Sequence, residues 1–149
     1  SRKEAERYIG EYFRRFPDVK EFMDRQVAEC RRKGYLETIM GRRRYIPEIS
    51  ASSYMVRQLG ERLAMNSPIQ GSAADIIKLA MIAVYRKLRS EKLSSKLILQ
   101  VHDELIVETA TEEKEAVISL LTECMENVME MSVKLSVGVS SGRNWYELK

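Results

Sequence analysis

The sequence predicts an α+β fold: an antiparallel sheet with a β-hairpin, packed on long helices. Three observations predict it. Apolar residues recur at three- and four-residue spacing through the first third and again near residues 116–128. Two short runs rich in aliphatic and β-branched residues flank His102-Asp103-Glu104. Between these regions lies a long Ala-, Ile-, Leu- and Met-rich stretch. Periods near 3.6 mark amphipathic helices, and short β-branched runs around a turn mark a hairpin.

Ala5, Tyr8, Ile9, Tyr12, Phe13 and Phe16 form one stripe of a helix over Arg2 to Phe16, which Pro17 ends. Tyr8, Tyr12 and Phe13 read as core rather than as base-stacking platforms. Asp18 has the character of an N-cap, with Glu21 three residues on completing a capping box. Val19, Phe22, Met23, Val27 and Cys30 make the apolar stripe of the second helix. Arg31, Arg32 and Lys33 complement its C-terminal dipole, and Gly34 stops it. Tyr35–Met40 and Arg44–Ile46 read as short strands joined through Gly41-Arg42-Arg43, with Pro47 closing the second.

Ser50 to Ser53 is a polar connector. A helix is expected from about Tyr54 to Met65. Ser67 and Pro68 then supply an N-cap and a first-turn proline for a new helix reaching about Lys92. Its apolar character is nearly all-round at Ala73 to Val84, which predicts deep burial. Lys96–Val101 and Leu105–Glu108 form the hairpin. Thr111, Glu112 and Glu113 open another helix, whose buried face is Ala116, Val117, Leu120, Leu121, Cys124, Met125 and Val128. Val133 to Val139 is a final strand, and Gly142 to Trp145 a turn with Trp145 as a C-terminal anchor.

A length of 149 residues suits one ordinary domain, large enough for a core without disulfides. At 44% hydrophobic and 32% charged the chain reads as soluble and globular. Cys30 and Cys124 fit reduced, partly buried thiols. No secretory pattern opens the chain, and no apolar run approaches the roughly 18 residues that span a bilayer, so a cytoplasmic protein with no membrane partner is expected. The net charge of +3 hides an asymmetry. Residues 1–62 carry 15 Lys and Arg against 10 Asp and Glu, and residues 63–149 carry 10 against 12. A basic first half beside an acidic turn suits a polyanion held near a metal, although charge runs are commonly just solvated faces.

Three groups of residues bear chemistry. His102-Asp103-Glu104 is either a hydrogen-bonding turn or a carboxylate metal site on a stiff support. Carboxylate oxygens are hard ligands suited to Mg²⁺, which takes one or two protein carboxylates and keeps waters. One Asp does not complete a site for two ions, so a partner carboxylate must come from elsewhere. Arg62, Asn66 and Gln70 stand four residues apart, which stacks them on one helical face, with a bend expected at Pro68. They read either as capping and a buried hydrogen-bond network or as donors toward purine N3 and pyrimidine O2 in a minor groove. Those acceptors are nearly independent of base identity, so such a row would test pair shape rather than sequence. Arg42, Arg43 and Arg44 suit phosphate contacts, or a solvated loop.

In order and spacing, Gly34 to Arg44, Glu61 to Asp75 and Val101-His102-Asp103-Glu104-Leu105 resemble the bacterial DNA polymerase I family, the family A DNA polymerases, in their C-terminal part. The resemblance covers essentially the whole chain through Asn144-Trp145. It implies part of a right-hand polymerase fold with a palm-type sheet: later fingers and connecting helices over about 1–66, palm over about 67–149. It implies that Asp103 is one of two palm aspartates binding two catalytic Mg²⁺ ions, that His102 lies by the primer terminus, and that Glu104 supports the site. Arg62, Asn66 and Gln70 match positions touching the new base pair and the duplex minor groove. Gly41 to Arg44 matches a loop of the family.

The family's other metal-binding Asp, its triphosphate-holding fingers helix, its thumb and its exonuclease region would lie upstream of residue 1. Gly138 and Lys134 depart from the family pattern, where an acidic residue and a Pro are usual. The implied partners are primer–template DNA, deoxynucleoside triphosphates and the upstream remainder of the polymerase. Residues 1–149 alone are expected to be inactive and prone to self-association through exposed strand edges. Two rival functions remain: a non-catalytic basic nucleic-acid-binding module, and part of a single-subunit RNA polymerase.

Overall fold

The computed structural model describes residues 1–148. The chain divides into two compact units, Ser1–Ser72 and the residues from Ala73 on. Helix and sheet are mixed, with small antiparallel sheets packed on helices.

The first unit opens with α1 (Arg2–Arg15) and α2 (Pro17–Lys33). Pro17 starts α2 rather than merely ending α1. Its fixed φ suits the first helical position, so Phe16 becomes the N-cap and makes no side-chain cap bond. The expected Asp18–Glu21 capping box is therefore not formed; Asp18 sits in the first turn, where its charge suits the dipole. Gly34 stops the helix with φ 79°, and its N–H donates to the Cys30 carbonyl at 2.8 Å. Tyr8 and Tyr12 are not core. They are 56% and 50% exposed, because α1 presents this stripe to solvent, where Tyr12 packs on Phe13 and Phe16.

β1 (Tyr35–Glu37) and β2 (Arg43–Tyr45) pair antiparallel, with Leu36 opposite Arg44 and Glu37 opposite Arg43. β1 is shorter than expected because Thr38 to Arg42 closes into a hydrogen-bonded turn, and β2 keeps its expected length but begins one residue earlier, at Arg43. Cys30, Leu36, Ile46, Ile49 and Ala64 form the core of this unit, with Val27 and Leu63 against it. Ile49 lies in a 3-10 turn over Pro47–Ser50, which rests directly on Gly60. A Cβ at Gly60 would stand 2.6 Å from the Ile49 amide nitrogen.

Helix α3 (Tyr54–Ser90) is continuous, with Pro68 inside it. The expected break at Ser67-Pro68 does not occur. Proline removes one helical donor and crowds the preceding turn, a cost near 3 kcal/mol in isolation. Here Ser67 Oγ donates to the Leu63 carbonyl at 2.5 Å, and Ala64 is wholly buried in the core, so tertiary packing overrides the local signal.

The second unit packs Val84, Leu88, Val117, Leu120 and Leu121 together, with Leu97, Leu105 and Val107 against them. The stretch from Ala73 to Val84 is buried on one face only. Asp75, Ile77, Ala80 and Val84 are buried, whereas Ile82 and Tyr85 are about half exposed. Its all-round apolar composition thus overstated its burial. β3 (Lys96–Val101) and β4 (Glu104–Glu108) form the expected hairpin, with a register irregularity between Leu97 and Leu99. A 3-10 turn over Thr111–Glu113 leads into α4 (Lys114–Glu126).

Val133 to Val139 does not form the expected strand. Among the described residues it has no ladder partner, and its Val137 amide bonds instead to Glu126 Oε1 at 3.0 Å. A strand is defined by pairing, which alternation along one segment does not supply. Trp145 lies in a terminal 3-10 turn and is half exposed, so it is not a buried anchor. Cys30 and Cys124 are free thiols, and burial pushes both upward from the ordinary thiol range. No helix among the described residues is long and apolar enough to cross a membrane.

Candidate functional site

The sharpest feature of the second unit is the hairpin tip. Val101 pairs with Glu104, so His102 and Asp103 alone make the turn. Glu104 begins β4 rather than sharing the turn, and its backbone is thereby fixed by the ladder. His102 takes φ 53°, an uncommon backbone for a residue with a side chain. The Gln100 side-chain amide donates to the His102 carbonyl at 2.6 Å and ties the turn down. The side chains of His102, Asp103 and Glu104 are all exposed.

This arrangement offers two adjacent carboxylates and an imidazole on a short, braced support. Asp103 makes no ion pair with the described residues, so its oxygens are open to a ligand. Hard oxygen donors of this kind suit a divalent cation. No group of three or more His, Cys, Asp or Glu among the described residues could hold a metal ion.

The base of the hairpin is held by Glu113, expected from the sequence only as part of a helix start. Glu113 accepts from the backbone N–H groups of Ser94 and Ser95 at 2.8 and 2.9 Å, and from both serine hydroxyls at 2.9 and 2.5 Å. Ser95 hydroxyl and the neighbouring donors hold its carboxyl down to about 2. A depressed carboxylate stabilises the fold above its unfolded pKa and loses that contribution as pH falls. Stability should therefore decline between about pH 4.5 and about pH 2 as Glu113 protonates. Glu113→Gln should melt at lower temperature at neutral pH and show a flatter acid limb. Parallel acid limbs in thermal melts of the two proteins would refute this role.

In the first unit, Arg62, Asn66 and Gln70 lie on one uninterrupted helix at four-residue steps. The eight-residue span covers about 12 Å at 1.5 Å per residue. All three are exposed, and among the described residues none has a side-chain hydrogen bond or ion pair. They are therefore not a buried network. They form a row of unengaged donors, backed by buried Ala64 and Ser67 on the opposite face.

The basic turn meets the same helix at Gly71 and Ser72. Thr38 Oγ1 accepts from the N–H groups of Met40 and Arg42, and Gly41 takes φ 75° with its N–H on the Thr38 carbonyl. Arg43 is committed within the sheet: its Nε bonds Glu37 at 2.9 Å and its guanidinium lies 4.8 Å from the Tyr35 ring centre. Arg42 and Arg44 are exposed.

The family model described as DNA polymerase family A matches residues 1–147. The chain is 52% identical over 149 residues to DNA polymerase I of Caldicellulosiruptor bescii, covering all of this chain and 18% of that protein. It is 50% identical to DNA polymerase I of Geobacillus stearothermophilus, again over its whole length and 17% of the relative. The chain thus spans less than a fifth of the curated relatives it matches. Among solved structures, the POL domain of Pol1 from M. smegmatis, in complex with DNA primer-template and dNTP, gives a TM-score of 0.95 at 43% identity. That match covers 99% of this chain and 26% of the other. Matched almost end to end by the family model, and half identical to these polymerases, the chain belongs to DNA polymerase family A.

Proposed function

We propose that this chain is the C-terminal catalytic segment of a template-directed DNA polymerase that transfers a nucleotide to a primer 3′-hydroxyl. Residues of about 1–66 belong to the later fingers and connecting helices, and about 67–149 to the palm. The observation that carries the reading is the open carboxylate of Asp103 on a braced two-residue turn. The similar POL domain, described with DNA primer-template and dNTP, supports DNA and nucleotides as substrates.

In the intact protein, Asp103 and an aspartate from preceding polypeptide would hold two Mg²⁺ ions, with Glu104 at the margin of the site. When bound, such ions acidify the attacking hydroxyl and neutralise charge on the departing pyrophosphate. His102 stands at the same turn and would lie by the primer terminus. Arg62, Asn66 and Gln70 donate to minor-groove acceptors and keep the terminal pair in line for attack. Arg42 and Arg44 face the phosphates, and Arg43 braces the turn that carries them. The reaction belongs to DNA replication and repair in the cytoplasm.

The test is primer extension by the intact protein carrying Asp103→Asn. Lost turnover with duplex binding retained supports the reading. Unchanged extension would overturn it and leave the basic module, whose salt-sensitive duplex binding does not need Asp103.

Residues 1–149 alone should extend no primer, because their tip holds only part of a ligand set. They should also self-associate, since both strands of the β3–β4 sheet are edges and Ile98 and Leu99 are about half exposed. Incorporation of labelled nucleotide by the purified fragment, or a strictly monomeric sedimentation profile, would contradict these two expectations respectively.

A further inference from the structure

Ser72 follows Gln70 by two residues and does two things at once. Its hydroxyl donates to the Pro68 carbonyl at 2.5 Å and accepts from the Ile39 N–H at 2.9 Å. Ile39 belongs to the turn between β1 and β2, which carries Gly41 and Arg42 and leads into Arg43 and Arg44 at the start of β2. Beside it, Gly71 lets the Thr38 methyl lie against the helix: a Cβ at Gly71 would stand 2.6 Å from Thr38 Cγ2. The turn is closed on itself by Thr38, whose Oγ1 accepts from Met40 and Arg42. The Gly71-Ser72 step is thus a seat for the turn. A bare backbone position lets the turn approach, and a hydroxyl fixes its height along the helix.

We propose that Ser72 is a positioning residue that sets the basic turn at a fixed offset from the Arg62–Asn66–Gln70 row, so that phosphate contacts and minor-groove contacts fall on one duplex together. The inference rests on the reading of row and turn as duplex-facing. Phosphate contacts fix the register of a protein on DNA and carry the salt dependence of binding. A turn that drifts along the helix keeps its charges but loses their register with the row. The Ile39 amide is exposed enough for water to replace the lost partner, so the fold should survive removal of the hydroxyl.

The test measures primer–template binding by the intact protein against salt, for Ser72→Ala, Ser72→Thr, Arg44→Ala and the Ser72→Ala/Arg44→Ala double variant. Ser72→Ala should raise Kd roughly three- to tenfold and flatten the log–log salt slope by about one unit or less, as loss of one phosphate contact does. Arg44→Ala should flatten the slope similarly, the double variant should flatten it no further, and Ser72→Thr should restore it. A wild-type slope for Ser72→Ala beside a flattened slope for Arg44→Ala would overturn the inference and leave the duplex-facing reading standing. Wild-type slopes for Arg42→Ala and Arg44→Ala would overturn both. Should Ser72→Ala fail to fold, Thr38→Val, which loosens the turn from its other end, decides the matter by the same slope.

Discussion

In the intact protein, Asp103→Asn lowers nucleotide incorporation by roughly a hundred- to a thousandfold or more, the scale on which losing one group that stabilises transition-state charge acts. Asparagine keeps the size and turn preference of aspartate but removes the negative charge that a divalent cation requires. Asp103 is exposed and makes no ion pair with the described residues, so the substitution leaves nothing buried and unpaired. Melting temperature and primer–template affinity should therefore stay essentially unchanged. Single-turnover incorporation separates this outcome from a binding defect, because the loss falls on the chemical step. Near-normal extension would show that the hairpin tip is only a turn.

Gly60→Ala destabilises the fold by about 1–3 kcal/mol, the usual range for forcing extra volume into a packed site. Two effects oppose each other. Alanine is the better helix former by about 1 kcal/mol, and α3 is helical through this position. Against that, the new methyl would meet the Ile49 nitrogen at 2.6 Å, the Glu48 carbonyl carbon at 2.7 Å and the Ile49 Cα at 2.8 Å. All three are backbone atoms, which cannot swing aside as a side chain does. The contact should win, because relieving it displaces Ile49 from a core that also holds Cys30, Leu36, Ile46 and Ala64. Thermal unfolding checks the sign: a raised melting temperature would mean that the 3-10 turn shifts freely.

The local elements were largely legible, and long-range pairing was not. Leu97, Val101, Leu105 and Val107 carry the strand signal within a few residues of their partners, so the hairpin could be read along the chain. Val133 to Val139 has similar composition, yet its ladder partner is absent from the described residues. Pro68 misled for the opposite reason: a local breaker was overruled by burial of Ala64 against residues 15 to 34 positions earlier. The row of Arg62, Asn66 and Gln70 was visible because four-residue steps impose a common face. Glu113 and Ser72 were not, because each works by reaching a backbone amide elsewhere in the sequence, 18 to 33 residues away. Serine and glutamate at such positions look like ordinary solvated residues.

The commitment of Arg43 to Glu37 and Tyr35 has an electrostatic consequence. An arginine whose charge is already balanced by a neighbouring carboxylate draws in little counterion cloud of its own. Tallying basic letters in Gly41-Arg42-Arg43-Arg44 would thus overstate how many sodium or potassium ions a nucleic acid sheds on docking here. Of the triplet, the middle member acts as a strut.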